Sequence, residues 1–137
     1  MRALASQAWR ALTTPDAGAL ASFVARDTSA LPYLGAALRR LLEERPGPGG
    51  LARSRRQILA AVAPCQGDLA RMFVACGDME EAVYLGDIVF MDYVRELADG
   101  PEPLLTLGAD ASPWRRKAAL TARGAALLAA GPDLGRN

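Results

Sequence analysis

The amino-acid sequence predicts a mostly α protein with a small two-stranded wing: a winged helix-turn-helix module preceded by a helical arm. Three observations predict this class. Apolar residues recur at helical spacing along most of the chain, with Gly, Pro, Asp, Ser and Thr between the runs. The stretch Pro46-Gly47-Pro48-Gly49-Gly50 combines missing donors with free backbone rotation, so no helix crosses it. Downstream, the order reads helix, helix, helix, strand, turn, strand, helix between Leu51 and Leu128. The predicted organisation is a helical N-terminal arm over 1–46, a winged-helix module over 51–131 and a flexible tail over 132–137.

In the arm, Ala3, Leu4, Ala8, Trp9 and Leu12 share helical spacing, which predicts a short amphipathic helix ending near Thr13-Thr14. Thr14-Pro15-Asp16 reads as a helix start. Thr14 can cap, Pro15 loses no needed donor at the first position, and Asp16 suits the positive end of the dipole. The predicted second helix, Pro15 to Arg26, buries Leu20, Phe23 and Val24. A third begins near Ser29 with Leu31, Leu34, Leu38, Leu41 and Leu42 inward, and with Arg39, Arg40, Glu43 and Glu44 opposite.

In the module, Ser54 and Gln57 form a capping-box pattern opening a helix over 54–63, with Ile58, Leu59 and Val62 inward. Pro64 to Gly67 reads as a turn, and Asp68 caps a helix carrying Leu69, Met72 and Phe73 inward. The run Met79 to Leu85 reads as an irregular turn or an extra helical turn. Gly86-Asp87 starts a third helix, and Gly100-Pro101 stops it. Leu104 to Leu107 and Trp114 to Leu120 read as the two strands of the wing, separated by the turn-rich Gly108 to Pro113. Thr121 caps a closing helix in which Ala125, Leu127 and Leu128 pack down.

Composition excludes several classes of chemistry. The chain has 137 residues, in the range of one domain with room for a real core. It is 51% hydrophobic and 23% charged, too apolar for a disordered chain and too interrupted by charge for a membrane protein. No apolar run approaches the ~18 residues that span a bilayer, and Met1 to Arg10 lacks the apolar core of a signal peptide. A cytoplasmic protein without membrane contact is expected. With no histidine, Ser-His and Cys-His pairs and His-containing metal sites are excluded within the chain. Cys65 and Cys76 fit no redox or zinc spacing and read as small buried hydrophobes. No metal, cofactor or small-molecule ligand is expected. A net charge of +1 exerts no strong global pull on nucleic acid.

Several runs resemble a known family. They are Gly50-Leu51-Ala52-Arg53-Ser54-Arg55-Arg56-Gln57-Ile58-Leu59, Met79-Glu80-Glu81-Ala82 with Leu85-Gly86-Asp87, and Pro103-Leu104-Leu105. They are similar to the C-terminal half of a bacterial family known only as domain of unknown function number eighteen thirty-five. Ala8-Trp9-Arg10-Ala11-Leu12 and the paired-Arg pattern within Ser29 to Glu44 look similar too, so the resemblance covers most of the chain. Ala52 and Arg55 stand where a capping Ser and a Glu are expected, which makes this helix start more basic. The resemblance implies no reaction. Family members carry a small α/β domain ahead of this region, so it does imply one reading of this chain as the accessory half of an enzyme whose N-terminal domain is absent.

Two surfaces of the module carry the other readings. A winged helix commonly lays its third helix in the DNA major groove, so the exposed face of that helix is informative. Phe90, Tyr93, Val94 and Leu97 fall on its inner side, while Asp92, Arg95, Glu96 and Asp99 fall on the outer. Three acids against one base repel a phosphate backbone, and Ile88 and Val89 flank the acidic arc. That face suits a protein partner, with Ile88 and Asp92 in contact and with Glu80, Glu81, Gly86 and Asp87 supplied by the family signature. The predicted function is therefore a non-enzymatic interaction module making mainly protein–protein contact or self-association, with Trp9 and Tyr33 as further anchors on the arm. The alternative is a DNA-binding regulator that uses Arg53, Arg55 and Arg56 together with Arg115, Arg116, Lys117 and Arg123 on the wing, and with Trp114 stacking on a sugar or base. The acids Asp78, Glu80, Glu81 and Asp87 do not match a calcium loop, and each lies near a helix start where the dipole favours it.

Overall fold

The computed structural model describes residues 1–47 and 49–131; Pro48 and the tail expected over 132–137 lie outside the described residues. The chain forms two compact units, Met1–Arg45 and Pro46–Asn137. Among the described residues the architecture is mostly helical, with one small two-stranded antiparallel sheet. No helix among them is long and apolar enough to cross a membrane.

The first unit holds helices α1 (Arg2–Thr13), α2 (Ala19–Val24) and α3 (Leu34–Leu42), closed around Ala8, Leu20, Phe23 and Leu38. Both later helices start further along than their sequence signals predict. Thr14 is extended and ends α1 instead of capping α2, because a residue before proline is pushed away from helical geometry. The Asp16 carboxylate accepts the Gly18 N–H at 2.8 Å, and this local turn delays α2 to Ala19. Pro32 likewise holds 28–33 in turns, with the Leu31 N–H on the Thr28 carbonyl at 2.8 Å, so α3 begins at Leu34 and not near Ser29. Arg40, expected on the solvent side, is buried, its charge matched one turn on by Glu44 at 2.6 Å.

The second unit contains α4 (Arg53–Ala61), α5 (Leu69–Asp78), α6 (Asp87–Ala98), β1 (Leu105–Leu107), a 3-10 turn (Pro113–Arg115), β2 (Ala118–Leu120) and α7 (Ala122–Ala129). The predicted capping box at Ser54 and Gln57 does not form. Extended Ala52 precedes the helix without a side-chain cap, which carries both residues inside α4, where they are buried. Asp68 does cap α5, accepting the Arg71 N–H at 3.1 Å, and Thr121 caps α7, accepting the Gly124 N–H at 3.0 Å.

The core gathers Ile58 and Leu59 of α4, Leu69 and Met72 of α5, and Phe90 and Val94 of α6, all fully buried, with Leu105 of β1. Phe73, Phe90 and Trp114 form an aromatic cluster on it. Phe90 and Trp114 stack with centroids 5.9 Å apart, and Phe73 meets both edge-on at 5.4 and 6.0 Å. Strands β1 and β2 pair in the register Leu105 to Leu120, Thr106 to Ala119 and Leu107 to Ala118.

Two glycines let backbone segments meet. Gly67, at φ +70°, accepts the Ala118 N–H at 2.9 Å, and a side chain there would collide with the Ala118 carbonyl. Gly124 presses α7 onto the Leu104 carbonyl in the same way. That contact corrects the expected inner face of α7: Gly124 is buried, Leu127 and Leu128 are half-buried, and Ala125 is exposed. The second strand is also shorter than expected. Pro113 starts a 3-10 turn that takes up Trp114 and Arg115, so only Ala118–Leu120 pair with β1.

Candidate interaction surface

The stretch from the end of α5 to the start of α6 is held in place from beneath by one arginine. The Arg53 guanidinium, at the start of α4, donates to the Met79 carbonyl at 3.1 Å and pairs with Glu81 at 3.2 Å and Glu80 at 3.4 Å. The Glu80 side chain is almost fully covered, whereas that of Glu81 reaches into solvent. The Glu81 backbone N–H and then Arg53 hold the Glu81 carboxyl below its ordinary value. Arg55 ties the same helix to α6. Its guanidinium lies over the Tyr93 ring, 4.2 Å from the centroid, and bonds both Glu96 oxygens, at 2.7 and 3.3 Å.

Beside these charged groups, large apolar side chains also face out. Five of the nine large exposed hydrophobics among the described residues lie in this one stretch: Val74, Met79, Val83, Ile88 and Val89. Val83 is 99% exposed. Behind Val74 and Val83 opens a groove of about 270 Å³, whose walls include Phe73, Leu85, Cys76 and Gln57. Burial, then Cys65 and Glu80, push the Cys76 thiol up to about 12, so it stays protonated at neutral pH and is a poor nucleophile. Both cysteines are free and buried.

The structure uses most of the residues singled out for nucleic acid in internal contacts. Trp114 is half-buried in the aromatic cluster, with one ring face stacked on Phe90. Lys117 pairs with Asp68 at 3.1 Å, Arg123 with Glu102 at 2.9 Å, and Arg116 donates to the Asp110 carbonyl at 3.2 Å. Arg53 and Arg55 are engaged as described; Arg56 is half-buried and Arg115 exposed. Arg115, Arg116 and Lys117 lie ahead of the paired strand and not on it.

The residues expected to meet a protein lie on or beside the outward-facing stretch. Gly86 precedes α6 as its N-cap, and the Asp87 carboxylate accepts the Ile88 N–H at 2.8 Å. Ile88 is exposed, and Asp92 pairs with Arg95 one turn on at 2.9 Å. Among the described residues no group of His, Cys, Asp or Glu is arranged to hold a metal ion. Sequence reasoning missed Gln57, Val74 and Val83. Gln57 borders Ile58 on the inner stripe of α4, a place where a polar residue signals either a buried partner or a ligand. Val83 is an apolar residue inside a turn, a placement that burial does not explain.

No family model, curated protein or solved structure matches this chain.

Proposed function

We propose that the chain is a non-enzymatic, winged-helix interaction module whose contact surface is the 74–89 stretch. The element order α4, α5, α6, β1, β2, α7 supports the winged-helix reading. One observation carries the functional reading: five large apolar side chains stay exposed along 74–89, a stretch that Arg53 clamps through Met79, Glu80 and Glu81. Interface centres are enriched in such apolar groups and depleted in unpaired charge. The motif resemblance through Glu80, Glu81, Gly86 and Asp87 falls on this same stretch and belongs to the proposal. The partner is a protein, including a second copy of this chain, and the compartment proposed is the cytoplasm.

The test compares immobilised full-length chains by quantitative mass spectrometry of what they retain. Val83→Asp/Ile88→Asp is expected to lose a partner that the parent chain and Arg115→Ala/Arg116→Ala both keep. Loss on the arginine variant alone, with duplex DNA retained by the parent, is the result that overturns the proposal in favour of nucleic-acid contact.

A further inference from the structure

The large apolar side chains left exposed fall mainly on two stretches whose charges have opposite sign. Five of the nine among the described residues lie within 74–89, and three more, Met1, Trp9 and Leu12, lie on α1 or at its N-cap. The inward stripe of α1 is Leu4, Ala8 and Ala11, so at ~100° per residue Trp9 stands on the far side, in line with Arg2 two turns earlier. Trp9 is 67% exposed, with Leu12 one turn on and Arg10 next to it. Helix α1 contains no acid. From Met72 to Val94, by contrast, the chain carries five acids and neither lysine nor arginine. Arg53 answers Glu80 and Glu81, and Arg95 answers Asp92. Arg71, a turn before Val74, lies at the Asp68 end of α5. Asp78 and Asp87 stay exposed without an ion pair among the described residues, and so do Arg2 and Arg10.

We infer that the 74–89 surface of one copy receives α1 of a second copy, with Trp9 and Leu12 against the exposed valines and Ile88, and with Arg2 and Arg10 toward Asp78 and Asp87. This rests on the contact surface proposed above and names its occupant. Interfaces combine an apolar centre with a polar rim and are enriched in Trp and Arg, which is the make-up of the outer face of α1. The charges decide the pairing. Either face set against its own copy would bring charges of one sign together, which suppresses association. Set against each other, the two faces give each unpaired arginine an acid. The contact is therefore heterologous, joining different faces of the two copies. The chain itself carries the apolar anchor and the positive charge that complement the surface, so no second kind of protein is needed to supply them.

The experiment is analytical ultracentrifugation of the full chain over a range of concentrations, at low and at high salt. The parent is expected to exceed the mass of one chain as concentration rises, and salt is expected to weaken the association. Arg2→Glu/Arg10→Glu and Asp78→Arg/Asp87→Arg should each weaken it by about tenfold or more, since each sets like charges together. Their equimolar mixture should recover it, because reversed α1 then meets reversed surface and native α1 meets native surface. Trp9→Ser, which changes neither charge nor core, should also weaken it by about tenfold. A parent that stays a single chain throughout overturns the inference. So does parent-like association in Trp9→Ser, or a mixture that fails to recover although both reversals melt like the parent. Self-association untouched by Val83→Asp/Ile88→Asp overturns it as well, by placing the contact elsewhere. If the parent stays single and Val83→Asp/Ile88→Asp still loses a protein partner, the inference falls and the proposed function stands.

Discussion

The 74–89 and 114–123 stretches belong to the same unit, and each carries residues that look functional in sequence, yet they use their side chains in opposite ways. Along 114–123 the side chains engage neighbours within the unit: Trp114 stacks on Phe90, while Lys117 and Arg123, both still exposed, reach Asp68 and Glu102. Along 74–89 Arg53 draws Glu80 under cover, and valine and isoleucine stand exposed beside the equally exposed Asp78, Glu81 and Asp87. A cluster of arginines in sequence is therefore weak support for a basic surface, because many of these long side chains find an acid or a carbonyl within the unit. Apolar residues in a connecting stretch carry more information. They have no partner to reach for and stay exposed only where burial is unavailable within the unit.

The largest effect is expected where the two stretches share a foundation. Phe90 lies under both, against Phe73 and Trp114, and Phe90→Ala should cost about 3–5 kcal/mol in urea unfolding. A loss under about 1 kcal/mol would mean that the aromatic cluster does not support the two surfaces together.

A smaller effect separates them. Arg53→Gln removes the clamp on 79–81 and leaves the covered Glu80 carboxylate short of a cation, a loss of about 1–3 kcal/mol that spares 114–123. The pH dependence has a defined sign. The folded-state value of Glu81 is depressed, so its contribution is complete above the ordinary value near 4.5 and disappears as pH falls through the lowered one. In Arg53→Gln the part due to Arg53 is absent and the part due to the Glu81 backbone N–H persists, so the acid-side fall in melting temperature should be shallower. An unchanged acid limb would contradict the role given to the clamp.

The smallest effect sharpens the contrast. Arg115→Ala/Arg116→Ala alters only exposed side chains and should shift the melting temperature by less than about 2 °C. It should also leave partner contact intact.

How far the sequence reaches depends on how local the cause is. The caps at Asp68 and Thr121 and the start at Gly86-Asp87 are visible because one side chain or one backbone freedom decides each. The mostly helical character and the two-stranded sheet follow from such local signals. Where two local signals compete, reading fails. Thr14-Pro15-Asp16 resembles a helix start, but Asp16 makes its own turn, and Pro113 converts half of an expected strand into a 3-10 turn. The candidate surface was half legible. Ile88 and the acidic residues around it follow from helical geometry, whereas the groove depends on packing between α4, α5 and the 79–86 connection. Gln57 illustrates the limit. In sequence it completes a capping box with Ser54, and only the start of α4 at Arg53 turns it into the core-facing wall of a cleft.

The most direct measurement is hydrogen–deuterium exchange on the full chain, alone and with the partner retained by it. New protection confined to 74–89, with 105–123 unchanged, is the expected result. Protection centred on 105–123, with 74–89 exchanging as in the free chain, would contradict the assignment of the contact surface.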